Sequence, residues 1–252
     1  MLAPLLISLA AATPNPCADA SLHLLCPDLV MRAPSNLFLV RRGHRRLLTS
    51  TNAIINTGAG PLEVRGTRTG AKEMTARQVI HGPRTVIVRG TGSLYFKDVP
   101  PRGGFYWKYE NAARFELWRL DAAGALTSRV RVGPKIFYCL RDLFHVRPYG
   151  RRSARFPSCR HPRAIGQVTL GISRGWADAY PSTYPGNWID VTGLRGCFAY
   201  VHVADPLNHL MESNENDNAG KRAVRLPWRG PGLRGCPRAH GPRPTGPPGL
   251  FI

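Results

Sequence analysis

Between residues 36 and 96 the chain is cut into short runs rich in leucine, β-branched and aromatic residues, at 36–40, 46–56, 62–65, 78–81, 85–89 and 93–96, and every intervening segment contains glycine. Runs of this length and spacing build sheets; none is long enough for a helical core. Residues 113–120 continue the pattern, with Phe115 and Leu117 on one face of a strand and Arg114, Glu116 and Trp118 on the other. Asp121-Ala-Ala-Gly124 then turns the chain back into 127–132. In 198–203, Phe198, Tyr200 and His202 alternate with Ala199, Val201 and Val203, a pattern suited to burial on both faces, and 221–226 reads as a terminal strand. The 26 Gly and 23 Pro fit the same architecture of many turns and short strands. We expect an all-β domain over 27–227, a β-sandwich of short antiparallel strands with long loops. No repeat of 20–50 residues suggests a solenoid or propeller.

The two ends differ from this body. Residues 1–20 begin with an apolar, small-residue stretch without a basic start and read as a signal peptide. From Trp228 the text is dominated by proline, glycine and arginine, which predicts a disordered tail over 228–252. No stretch of 18 apolar residues is present, so no transmembrane segment is expected. Six cysteines suit an oxidising compartment, and Cys17–Cys26 and Cys139–Cys159 are the expected pairs. Cys197 is expected as a buried thiol and Cys236 as unpaired or weakly paired. The spacings contain no Cys-x-x-Cys, which argues against zinc and thioredoxin-like redox chemistry. A secreted or cell-surface location follows.

A net charge of +20 sets the class of partner. Arginines gather at Arg41, Arg42, Arg45 and Arg46 and again at Arg147, Arg151, Arg152, Arg155, Arg160 and Arg163. Such a field attracts polyanions, among them cell-wall polymers, acidic proteins and nucleic acid. No helix-turn-helix, zinc-finger or RRM pattern accompanies it, so sequence-specific nucleic-acid recognition is not expected.

Chemistry concentrates in three stretches: Asn111-Ala-Ala-Arg-Phe-Glu-Leu-Trp-Arg-Leu120, Gly133-Pro-Lys-Ile-Phe-Tyr-Cys139, and Gly171-Ile-Ser-Arg-Gly-Trp-Ala-Asp-Ala-Tyr-Pro-Ser-Thr-Tyr-Pro-Gly-Asn-Trp-Ile-Asp190. In order and spacing they resemble the catalytic domain of the lysyl oxidases, over about residues 105–226. The resemblance implies that a lysine four residues before a cysteine and a tyrosine eight residues before a Trp-Ile-Asp element join into a lysine tyrosylquinone. Lys135 and Tyr180 hold those places. It further implies copper, held by a His-x-His-x-His run shortly before the segment matching 112–117. Here that window reads Gly103-Gly-Phe-Tyr-Trp-Lys108, without histidine, and none of the eight histidines forms a His-x-His pair. Imidazole suits Cu(II), whereas aromatic rings and an ammonium do not replace it.

Each candidate also has an ordinary reading. Lys135 can be a strand-edge lysine, or a partly buried amine beside Phe137 and Tyr138 and hence nucleophilic. Tyr180 can be structural, and Tyr184 lies four residues away from the same role. Asp178 can accept a proton from a substrate α-carbon or cap its own turn. The run from Phe105 to Tyr109 can be a binding platform or a repacked metal cavity. The loop 212–217 offers oxygens for calcium without an EF-hand pattern, and a solvated hairpin is the expectation. Taken together, the sequence predicts a secreted lysyl oxidase-like protein without a metal site, impaired as an enzyme and acting as a basic binding module. The alternative is a copper-dependent amine oxidase acting on peptidyl lysine or primary amines through a lysine tyrosylquinone built from Lys135 and Tyr180.

Overall fold

Alternation of apolar and polar residues is realised as sixteen strands in the computed structural model, which describes residues 14–99 and 104–242. In chain order they are β1 (Leu29–Met31), β2 (Ser35–Arg42), β3 (Arg45–Asn56), β4 (Leu62–Arg68), β5 (Glu73–His81), β6 (Val86–Val99), β7 (Gly104–Glu110) and β8 (Ala113–Leu120). They continue with β9 (Leu126–Val132), β10 (Phe137–Tyr138), β11 (Phe144–His145), β12 (Gln167–Ile172), β13 (Trp176–Tyr180), β14 (Trp188–Asp190), β15 (Gly196–Ala204) and β16 (Ala219–Leu226). Among the described residues the only helical pieces are two 3-10 turns, Pro16–Ala18 and Ala20–Leu22. The protein is all-β, as expected.

Three antiparallel sheets form. One runs β10-β7-β6-β5-β4-β12 and another β16-β15-β8-β9, while the third is organised by β3. The twelve residues of β3 outrun any single partner: its first half pairs with β2 and β14, its second with β1 and β13. Leu48 and Ile54 from β3, Val64 from β4, Trp107 and Tyr109 from β7, Phe115 and Leu117 from β8, and Phe198 and Tyr200 from β15 meet in one core. Each large side chain so buried contributes about 1.5–3 kcal/mol relative to exposure.

The second face of the β8–β15 sheet has its own core, in which Trp118, Leu120 and Leu126 pack with Ala199, Val201 and Val203. Both faces of 198–203 are therefore buried. Glu116 shares that face and is fully buried, where Arg114 Nε at 2.7 Å and Arg129 Nη1 at 3.1 Å neutralise its carboxylate.

The ends correct the sequence reading. Cys17–Cys26 and Cys139–Cys159 are bonded as expected, but Cys197 is no free thiol: it is joined to Cys236. That bond draws 228–242 back onto the domain, where Ala239 packs on the second core and His240 bridges Ala125. The disordered tail is thus corrected for 228–242, while 243–252 lie outside the described residues. Covalent attachment supplies the order that composition could not. At the other end, Asn15 Nδ2 donates to Glu212 O (2.9 Å) and Cys17 is disulfide-bonded to Cys26, which ties this segment to the domain. Residues 1–13 lie outside the described residues. Among the described residues no helix is long and apolar enough to cross a membrane.

Candidate functional site

Strand geometry fixes the first two members of the site. In β13 side chains alternate, so Asp178 and Tyr180, two residues apart, share one face, and both are buried. Asp178 is therefore a mid-strand residue and does not cap its own turn; its Oδ2 accepts from Leu140 N–H at 3.1 Å. Tyr180 Oη accepts from Cys139 N–H at 2.8 Å, tying the ring to the backbone of a disulfide-bonded residue. Lys135 comes from the β9–β10 connection. Its Nζ donates to Phe137 O at 2.9 Å and lies over three tyrosine rings, 3.9 Å from the centroid of Tyr180, 4.2 Å from Tyr138 and 4.6 Å from Tyr184. Lys135 and Tyr180, 45 positions apart, are thus face to face.

The third strand in the site is β7. Alternation sends Trp107 and Tyr109 into the core, and turns Lys108 toward the tyrosines, where Nζ donates to Tyr184 Oη at 2.7 Å. The aromatic run is therefore largely core packing, and Lys108, which the sequence reading passed over, is a member of the site. The segment carrying Tyr184 is closed by Asn187 Nδ2, which donates to Pro181 O at 2.9 Å. Gly186 has φ +85°, and a Cβ there would stand 3.3 Å from Lys135 Cβ. Both facts favour glycine. Lys97, Lys108, Lys135, Phe137 and Tyr184 line an open cavity of about 230 Å³.

Burial dominates the electrostatics. It pushes the Lys135 ammonium well below the usual lysine range, with Lys108 adding to the effect and Asp178 opposing it. Lys108 is lowered to about 8, again mainly by burial. Asp178 is raised to about 6 by burial, against the pull of Arg141, Lys135 and Lys108. Burial, then Asp178, pushes the Tyr180 hydroxyl well up, so the ring is held as a neutral phenol. At neutral pH the site combines an ionised Asp178, a mostly protonated Lys108 and a Lys135 with far more neutral amine than an exposed lysine carries.

The donor set does not fit the copper that the resemblance implies. At the position of the histidine run, β7 offers Tyr106, Trp107 and Lys108, and a protonated amine has no lone pair for a metal. Three of the histidines are engaged elsewhere: His202 Nε2 with Ser50 Oγ at 2.8 Å, His81 with Glu63 at 3.3 Å, His145 against Trp176. His145, His161 and His202 form no metal-binding group among the described residues. No family model matches this chain, and no curated protein does.

A separate cluster has oxygen donors only. Asp205, Glu212 and Glu215 place carboxylate oxygens within 4.8 Å of one another. Around them Asp28 Oδ1, Glu215 Oε2, Asp217 Oδ1 and Asn218 Oδ1 are buried without partners. Burial first, and the neighbouring carboxylates after it, raise Glu212 to about 9 and Glu215 to about 7. Glu212 is buried and accepts from Leu29 N–H, so the expectation of a solvated hairpin over 212–217 is corrected at Glu212, while Ser213, Asn214 and Asn216 are exposed. An all-oxygen, carboxylate-rich site of this kind suits a hard divalent cation such as calcium. The sequence offered the oxygens of 212–217; the fold adds Asp205 to them.

Proposed function

We propose that this chain is a lysyl oxidase-like domain that does not carry out copper-dependent amine oxidation and serves, outside the cytoplasm, as a basic binding module for polyanions. The observation that carries this reading is Lys108. Where the family's chemistry needs imidazoles, an ammonium bonded to Tyr184 stands beside Tyr180, 5.7 Å from its ring centroid. A second positive charge there repels a metal cation. Without ring oxidation Tyr180 offers no electrophilic carbon to Lys135, and the two remain a packed amine and phenol.

Surface charge supports the binding role. Arg41, Arg42 and Arg46 are exposed on the β2–β3 hairpin, and Arg147, Arg151, Arg152, Arg160 and Arg163 are exposed in the loops between β11 and β12. Arginine forks pair bidentately with carboxylate, sulfate or phosphate. Three disulfides support an oxidising compartment.

The test is expression with copper, followed by metal analysis, a visible spectrum and an assay for hydrogen peroxide with primary amines. Substoichiometric copper, no quinone absorbance and no peroxide are expected. Amine-dependent peroxide that disappears in Tyr180→Phe would establish the copper amine oxidase instead.

A further inference from the structure

Only five of the 35 Lys+Arg residues are lysines: Lys72, Lys97, Lys108, Lys135 and Lys221. Three of those five line a single cavity beside Tyr184. In a chain that otherwise uses arginine for positive charge, this concentration points to a property that arginine lacks. A guanidinium stays protonated at any working pH, whereas an amine can lose its proton and become a nucleophile.

We propose that the Lys97–Lys108–Lys135 cavity is an imine-forming site, in which Lys135 Nζ condenses with a small aldehyde that also carries a carboxylate. The proposal rests on the reading above, since an amine consumed in a quinone cross-link could not react. Geometry assigns the parts. Lys135 is buried yet lines the cavity, and among the described residues its Nζ makes a single hydrogen bond, to Phe137 O, with no carboxylate within ion-pairing distance. The rings of Tyr138, Tyr180 and Tyr184 hold it in place. Lys108, carried by the neighbouring strand and fixed by Tyr184 Oη, supplies the charge that receives the carboxylate, and Lys97 adds a second at the rim.

The groups facing Lys135 favour the neutral amine. Burial acts first and Lys108 second, while Asp178 opposes them, with Arg141 in turn drawing on Asp178. Burial holds Tyr138 and Tyr180 as phenols; Lys97 and Asp98 line the same cavity. A neighbouring cation that suppresses protonation of a buried lysine is a recognised way to activate it. The step conserves atoms and oxidation state. The Nζ lone pair forms the C–N bond, the carbonyl π pair moves to oxygen, and a nitrogen proton transfers to give a carbinolamine. Loss of the hydroxyl as water, with the second nitrogen proton, leaves C=N. With no carboxylate in contact with Lys135, water in the open cavity carries that proton, and the buried Asp178 on the same face as Tyr180 acts on the site through its charge alone.

The test uses the full chain with glyoxylate and cyanoborohydride at pH 7, the reductant converting imine to a stable secondary amine. Adducts are located by peptide mapping. Lys135 should carry at least tenfold more label than Lys72 or Lys221, and acetaldehyde, which lacks the carboxylate, should label it several-fold less. Lys108→Met should lower the glyoxylate preference, and Lys135→Arg should abolish the fast phase while leaving slow surface labelling. A native-size protein with free Lys135 and no preferential label overturns the proposal. A quinone spectrum with Lys135 cross-linked overturns the reading beneath it. Equal labelling by both aldehydes removes the carboxylate requirement and overturns the substrate class proposed.

Discussion

Raising the pH should destabilise the apo protein through the Glu212 cluster, and calcium should reverse the effect. Glu212 in the fold is raised from an ordinary 4.5 to about 9. Its contribution is therefore fully present below about pH 4.5 and is lost as pH rises toward about 9, because the folded state keeps a proton that the unfolded chain releases. One retained proton corresponds to about 1.4 kcal/mol per pH unit, so between about pH 5 and about pH 8 the loss is about 4 kcal/mol. A cation that binds the ionised cluster competes with that proton. At a hundred times its dissociation constant it adds about 2.7 kcal/mol, or roughly 5–10 °C in Tm for a domain of this size. Thermal melts with calcium or with chelator at both pH values read the effect. The calcium shift should be large at pH 8, small at pH 5 and absent in Glu212→Gln, which should itself be more stable than the parent at pH 8 without metal. Equal shifts at both pH values, or none, would refute the assignment of these oxygens to a cation.

Three further outcomes follow from the geometry. Gly186→Ala should lower stability by about 1–3 kcal/mol, since φ is +85° and the new Cβ meets Lys135; an unchanged Tm would show that the loop relaxes freely. Replacing Cys197 and Cys236 by serine opens a loop of 39 residues and should cost about 4 kcal/mol by loop-closure entropy. It should also make 228–242 susceptible to protease, and a tail still protected would mean that packing alone holds it. Binding to heparin, as a model polyanion, should weaken steeply with salt, and Arg41→Gln with Arg42→Gln and Arg46→Gln should elute at lower salt than the parent; elution unchanged by the triple substitution would move the binding face elsewhere.

Strand placement was legible because burial on one face imposes a period of two: the run at 46–56 and the alternation at 198–203 reappear as β3 and β15. The proximity of Lys135 and Tyr180 was legible only through the spacing of a resembled motif, since local pattern says nothing about which loop covers which strand. Three features were hidden for the same reason. Lys108 looked like part of an aromatic patch until β7 alternation turned it toward Tyr184. The burial of Glu212 was hidden because the groups that meet it, Asn15 and Leu29, lie almost two hundred positions away. The end of the chain looked disordered because proline and glycine content is read locally, and a disulfide to Cys197 acts at a distance.

Whether Lys135 and Tyr180 are chemically separate tests the account most directly. Protein produced with copper and under oxygen should be digested with its disulfides reduced, and the peptides containing the two residues identified by mass spectrometry. The account predicts two separate, unmodified peptides in full yield. A single cross-linked species joining Lys135 to an oxidised Tyr180 would contradict it.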